Sequence, residues 1–332
     1  MARARQAAHN APGVLTPQGR LTLTTATPVM AAEAAAQTTI YYTPYVGDRV
    51  PLYNGTEWEN KLFTELSIAM AASANWAADS NFDLFVYNDA GTLRLVTGAA
   101  WTNGTTRAEA LVRTNGIWLN NASFTGRYAA GSTVSIAASR ATYVGTMRTT
   151  GSTGTTTWEL GGSAAGGDPG KLFLWNAYNR VAVALEVLDS TDTWTYNTGT
   201  WRNRNGNSNN RVSFVIGLAG EEAVSACAAQ GGSHEMDPVA GSTTTQYICV
   251  GYDVDNAVDG ITSFYAVSEG GAATRTYYPV LVAMRDVIPG IGFHYMAALE
   301  FGALGGTPTV LWYGDGGSPE IIRFGMRFNG MF

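Results

Sequence analysis

Three histidines, His9, His234 and His294, are the first residues to test for chemistry, because imidazole alone has an ordinary pKa near neutral pH. A nucleophile–His–acid site needs one of them beside an activated nucleophile, and no G-x-S-x-G elbow occurs. His234-Glu235 is followed by Met236, Asp237 and Pro238, so the H-E-x-x-H zinc signature is missing too. His294 lies in the aromatic run Gly292-Phe293-His294-Tyr295, where a packed or axis-facing histidine is expected and a general base is the alternative. Glycoside cleavage needs two carboxylates about 5–10 Å apart. Glu186 with Asp189, Asp189 with Asp192, and Asp253 with Asp255 are spaced to supply such a pair. Pairs of this kind are common in loops by chance, so no catalytic centre is expected.

The run Asp253 to Gly260 is rich in oxygen ligands, but a calcium-binding EF-hand loop requires Gly at its sixth position and Glu at its twelfth. Those positions hold Val258 and Phe264. A solvated turn between Tyr252 and Ile261 is the simpler reading. The glycine-rich stretches near Gly161 and Gly270 lack the strand–GxxxxGK–helix context of a phosphate loop. No cofactor is expected. Sugar binding is the remaining chemistry: aromatic rings stack on sugar faces, and Asn and Arg reach hydroxyls. Trp201, Arg202, Arg204, Asn205 and Asn207 form the candidate glycan-facing loop. Trp194 and Tyr196, alternating on one strand, read as core packing.

The elements that would position these residues are β-strands. The chain has 332 residues, of which 45% are hydrophobic and only 14% charged. An average soluble domain is about 25% charged, so Thr, Asn, Ser, Gly or another protein must cover the rest of the surface. Lys61 and Lys171 are the only lysines among 20 basic residues. That bias matches interfaces, which enrich Arg and aromatics over Lys, and it equally matches a GC-rich coding sequence. A net charge of −6 argues against nucleic acid as the main partner. No apolar run reaches the roughly 20 residues of a membrane helix, so no membrane insertion is expected. Cys227 and Cys249 are too few for a disulfide framework and read as small buried apolar residues, though they could pair.

Residues 1–15 are polar and Ala/Pro-rich and read as an anchor peptide, with Arg3 and Arg5 as its charged contacts. An N-terminal β domain is expected over 16–150. Leu21 and Leu23 alternate with threonines in a half-buried strand, 82–87 and 92–96 form a hairpin, and Asn103-Gly104 and Asn115-Gly116 form turns. Met30–Gln37 and Arg107–Arg113 have the composition of short helical turns. The Gly/Ser/Thr-rich segment 151–170 reads as a linker. Residues 171–332 carry many short strands and read as a jelly-roll-like β-sandwich. The fold class is therefore mainly β. The run Gly292-Phe293-His294-Tyr295 is apolar on both strand faces, which implies a central position or a neighbouring subunit, and Phe332 ends the chain among apolar residues, where burial against a neighbouring subunit would account for both.

Two segments carry a resemblance. Tyr41, Tyr42, Pro44, Tyr45, Gly47, Pro51, Tyr53 and Gly55, followed by Trp58, Phe63, Glu65 and Leu66, resemble an aromatic module of tailed-bacteriophage structural proteins. The run Pro289 to Glu300, then Thr309–Gly314 and Gly325–Gly330, is similar to the end of trimeric, tumour-necrosis-factor-like jelly rolls in phage fibres and head spikes. The resemblance implies a non-enzymatic virion protein made in the host cytoplasm. It would be a homotrimer, with Phe293, His294, Tyr295, Trp312, Tyr313 and Phe332 at its interface, attached to capsid or tail proteins through its N-terminal part, with the jelly roll facing outward, in contact with a host-surface glycan. A capsid decoration protein, a receptor-binding adhesin and a polysaccharide depolymerase are the alternatives. The last lacks the repeated rungs of a β-helix here.

Overall fold

The computed structural model describes residues 16–71, 73–236, 242–269, 275–302, 309–314 and 323–332. The chain is mainly β, with curled sheets in a β-sandwich-like arrangement. Among the described residues its strands form a sheet of eleven, a sheet of fifteen and a separate two-stranded hairpin. No helix among them is long and apolar enough to cross a membrane.

Period-2 patterning and turn chemistry account for the local structure. Strands Asn81–Asp89 and Thr92–Ala100 pair across a turn in which Ala90 and Gly91 have positive φ. Leu111–Thr114 and Ile117–Asn120 pair across Asn115-Gly116, whose φ values of 51° and 85° fit a tight hairpin turn. The expected helical turns are absent. Ala34–Gln37 is a strand, because its backbone pairs with Thr156 and Trp158. Leu111 begins a strand within Arg107–Arg113, while Arg107 turns inward to Asp83. Pairing with distant segments overrides weak helical propensity. Strand Gly19–Thr22 is buried on both faces rather than half-buried.

The segment 151–170 is not a linker. Thr156–Ala164 pairs antiparallel with Asp168–Leu172, and strand Ala182–Asp189 lies parallel beside it. Its glycines serve close packing: a Cβ on Gly161, at φ +71°, would stand 2.5 Å from the Glu186 carbonyl oxygen. The two large sheets also exchange strands. Ala34–Gln37 joins the sheet of the later strands, and Leu174–Asn176 pairs Ala141–Arg148 in the earlier one. One continuous core therefore runs from Leu21 and Phe85 to Phe214, Phe328 and Phe332.

The aromatic module of residues 39–66 is packed into this frame. Tyr42 stacks on Phe63 at 5.0 Å, and its hydroxyl accepts from the Gly19 amide. The Glu65 carboxylate accepts from Thr25 Oγ1, the Ala26 amide and Thr43 Oγ1, closing the adjoining loop. Arg49–Tyr53 and Trp58–Leu62 form the separate hairpin, tied to the main sheet where Thr142 Oγ1 donates to the Pro51 carbonyl.

Three residues expected at a subunit interface are buried in the chain itself. Phe332 has no exposed surface and packs against Trp158, Phe214 and Phe328. Its backbone exchanges two hydrogen bonds with Val181, and Arg20 donates to its carbonyl. Trp312 is likewise fully buried, in a smaller cluster with Trp194, Ile248, Leu281, Ala283 and Val310. His294 is 6% exposed. The apolar double-sidedness of these strands is satisfied by the sandwich's own layers. Phe293 is also turned to its own chain, 6.0 Å from Phe173 with Arg148 over its ring. Tyr295 and Tyr313 remain half-buried. Arg3 and Arg5 lie outside the described residues.

Candidate functional site: an apolar edge and an aromatic row

Strand Val280–Val287 pairs with Val224–Met236 along one side only; among the described residues no strand pairs with its other side. Alternation sends Leu281 and Ala283 into the small core cluster and leaves Val280, Val282 and Met284 facing outward, 64%, 50% and 52% exposed. Their register partners Ala229 and Cys227 extend this surface with small, half-buried residues, while Gly231 beside Val280 is covered by the Phe324 ring. Tyr278 and Ile288, beyond the strand ends, are also exposed. Further along the sheet the outward residues become polar, with Arg327 opposite Glu186. Asp286, the next outward position, is exposed and ends the row with a charge, so the apolar stretch covers three positions; apolar edges are what solitary soluble proteins usually cover or charge.

A second feature lies on the opposite layer. Arg202–Asn203, Gly292–Gly302, Ser242–Tyr252 and Ser263–Glu269 are neighbouring strands. Their registers place Trp201, Phe301, Tyr247 and Phe264 in one row on one face. Ring centroids are 5.4 Å apart for Trp201–Phe301, 5.3 Å for Phe301–Tyr247 and 5.5 Å for Tyr247–Phe264. The row rises from half-buried Trp201 to Phe264, which is 63% exposed. Such cross-strand pairs stabilise a sheet, and their open end presents aromatic surface.

The rest of the expected glycan-facing loop turns inward. Arg202 binds Glu300, with Nε 2.8 Å from Oε1, and lies over the Tyr196 ring. Glu300 is 1% exposed and also accepts from Trp194 Nε1; burial pushes its carboxyl up, opposed by Arg202. Arg204 is buried and donates to the Tyr313 carbonyl. Asn205 donates to Asp189 Oδ2 at 2.9 Å, and Asn207 Oδ1 caps the Asn209 amide. Trp201 joins the aromatic row, while Arg202, Asn205 and Asn207 stay half-buried. The signal for Tyr247, Phe264 and Phe301 was their period-2 spacing, but their common row depends on register across a hundred residues.

The carboxylate pairs do not converge. Glu186 faces solvent while Asp189, three residues on, is fully buried. Asp189 accepts from the Gly166 and Thr191 amides and from Asn205 and Asn210 side chains. Burial alone would raise its pKa, but these hydrogen bonds outweigh it and hold the carboxyl below its usual range. Asp253 accepts from the Tyr295 amide and pairs with His294 Nδ1 at 2.8 Å. Tyr252 Oη stands 2.7 Å from the same nitrogen, and Nε2 is 3.1 Å from the Gly290 carbonyl. Burial drives the Tyr252 phenol further above its ordinary range, so it is not an activated nucleophile. Asp253 thus closes a turn against a packed histidine. No group of three His, Cys, Asp or Glu side chains suited to a metal occurs among the described residues. Cys227 and Cys249 are unpaired.

No protein-family model and no curated protein matches the chain. A solved structure, "Structure of infectious bursal disease virus Gx strain", is similar at 11% identity over 90% of this chain and 79% of that one. Its TM-score of 0.16 is too low to carry an argument about fold or function.

Proposed function

We propose that the chain is a non-enzymatic structural subunit of a phage virion, a homotrimeric fibre or spike component attached to capsid or tail proteins. The observation that carries this reading is the edge strand Val280–Val287, with no strand on its outer side among the described residues and Val280, Val282 and Met284 exposed in a row. Burying that surface against another copy would gain roughly 25 cal/mol per Å² of apolar area. The inward use of Asp189, Asp253 and Glu300 supports an architectural rather than an acid–base role. The sequence resemblance supplies the virion and the threefold symmetry.

Light scattering on the purified chain tests it. A trimer of the 35.2 kDa chain has a mass of about 106 kDa. Val282→Glu, which places a charge on the outward face without touching the core, should yield a folded species of monomer mass. A wild-type monomer at every concentration, with no uptake into particles, would remove the trimeric reading.

The aromatic row favours a second reading, a receptor-binding adhesin whose outer face stacks on host-surface glycan. It predicts saturable binding of the wild-type chain to host cells, lost in Phe264→Ala and Trp201→Ala. Undiminished binding by both variants would dismiss the row as the contact.

A further inference from the structure

The separate hairpin leans over the earlier sheet and leaves a cleft of about 510 Å³. That volume falls within the roughly 300–1,000 Å³ of small-molecule sites. Leu52, which is buried, forms part of its wall, and Tyr53, Tyr87, Asn88, Ser135 and Arg140 are among the other lining groups. The cleft is a consequence of the fold rather than a gap in it. The hairpin is held by the Thr142–Pro51 hydrogen bond, and its turn is closed by Asn54, whose Oδ1 accepts from the Thr56 and Glu57 amides. Gly55, at φ +96°, sits at that turn; a Cβ there would stand 2.2 Å from an Arg140 guanidinium nitrogen. The positive φ of the turn favours glycine there, and the absent side chain leaves room for the arginine to lie against it.

Arg140 is the informative residue. Its backbone amide is bound by Asn120, but among the described residues its guanidinium has neither a carboxylate partner nor a hydrogen-bond acceptor. Arg94 and Arg107, by contrast, each hold a carboxylate and an aromatic ring. Among the described residues the phenol hydroxyls of Tyr53 and Tyr87 also have no partner, and Asn88 uses only its Oδ1, toward the Gly91 amide. Glu59 also lines the cleft, but Lys61 lies 2.5 Å from its carboxylate and Asn54 donates to it. The hydrogen bonds from Lys61 and Asn54 hold that carboxyl below its usual range. The cleft therefore carries one uncompensated positive fork, two rings with free hydroxyls, and short polar side chains.

We infer that this cleft binds an acidic monosaccharide unit, a pyranose bearing a carboxylate. Guanidinium matches carboxylate bidentately. Tyrosine supplies rigid amphipathic contact area at low entropic cost, while Ser and Asn supply adaptable hydrogen bonding. A pyranose offers the complement: an apolar C–H face for a ring and hydroxyls for the amides and phenols. The mixed lining suits such a ligand better than an apolar peptide side chain. The site lies on the hairpin and the earlier sheet, away from the apolar edge and the aromatic row, so it stands or falls independently of the assembly proposed above.

The test is titration of the full chain with sodium glucuronate, with glucose and N-acetyl-aspartate amide as comparison ligands, followed by calorimetry or by ligand-observed NMR. Glucuronate should saturate, with glucose and the aspartate derivative each at least about tenfold weaker. Arg140→Gln should weaken glucuronate about tenfold or more and bring it level with glucose, while Arg140→Lys should retain part of the preference. Unchanged thermal melting of both variants shows that the hairpin is still in place, and Tyr87→Phe gives a second, milder loss without touching Arg140. No saturable binding of glucuronate, equal binding of glucose, or equal loss in Arg140→Lys and Arg140→Gln overturns the proposal. Binding of the aspartate derivative as tightly as glucuronate also overturns it, in favour of an acidic side chain from a neighbouring protein.

Discussion

Arg107 Nε lies 3.1 Å from Asp83 Oδ2, a carboxylate with no exposed surface, and the same guanidinium donates to the Gly217 carbonyl of the other large sheet. Tyr143 and Thr146 complete the cluster: their hydroxyls are 2.7 Å apart, and Thr146 donates to Asp83. A Cβ on Gly217 would stand 2.1 Å from the Tyr143 hydroxyl, so the sheets meet here through a glycine. This pair fixes how the earlier sheet, with its cleft, sits on the later one.

The pair has a pH signature. Burial pushes the Asp83 carboxyl up to about 6, against the opposing pull of Arg107. A raised folded-state pKa means that the folded chain binds this proton more tightly than the unfolded one. Its contribution is therefore fully present below the ordinary value near 3.8 and is lost as pH rises through about 6. The difference is on the order of 3 kcal/mol. In Asp83→Asn this component should vanish, so the gap in melting temperature between wild type and variant should widen in favour of wild type from pH 7 to pH 4. A gap that is constant with pH would show that Asp83 titrates normally. Asp189, whose carboxyl is held low, acts in the opposite sense in wild type and variant alike and cancels from the comparison.

The two thiols should differ sharply. Cys249 is fully buried, and burial raises its thiol to about 11. Cys227 is partly exposed on the outward face, opposite Met284. A thiol-specific alkylating reagent should therefore modify Cys227 at least about tenfold faster than Cys249 in the dispersed chain, since thiolate fraction and access both set the rate. If the edge is covered by a second copy, Cys227 should become protected as concentration rises, while Cys249 stays slow throughout. Mass spectrometry of the alkylated chain reads both, and equal rates at every concentration would contradict this account of the edge.

Much of this architecture is legible in the sequence, but only locally. Asn115-Gly116 states its hairpin through residues that tolerate positive φ, and the 88–91 turn through Gly91 and the Asn88 side chain that accepts from its amide. The mainly-β class follows from period-2 alternation in runs such as 182–189. Register over long separations is not written in that way, because alternation names a strand's faces and not its neighbours. Phe332 reads as an intersubunit residue because it ends the chain among apolar residues, and Trp312 does so through the resemblance alone. The partners that satisfy them, Trp158 and Leu281, lie far away in the sequence. The cleft was invisible for the same reason: Gly55, in the aromatic module, and Arg140 are 85 positions apart, and the module says nothing of what it packs against.

Phe332 separates core from interface. Phe332→Ala should cost about 3–5 kcal/mol, the usual range for emptying a buried phenylalanine site. The mass in solution under native conditions should not change, because the ring is fully buried in its own chain. Denaturant unfolding gives the first quantity and light scattering the second. A dissociated but normally stable variant would return Phe332 to the interface.

The aromatic row makes a graded prediction that distinguishes support of the sheet from contact with a ligand. Tyr247 sits between two strands and touches Trp201, Phe264 and Phe301, whereas Phe264 contacts Tyr247 and is otherwise mostly wet. Cross-strand pairs contribute roughly 0.2–1 kcal/mol each. Tyr247→Ala should therefore lower stability by more than about 1 kcal/mol, and Phe264→Ala by less, as read by denaturant melts that follow tryptophan emission. Stability alone cannot explain a large exposed ring at the open end, since its removal costs the fold little. If Phe264→Ala keeps its melting behaviour yet loses attachment to host cells, the ring acts outward. If both melting and attachment are unchanged, the row serves only to pin four strands in register.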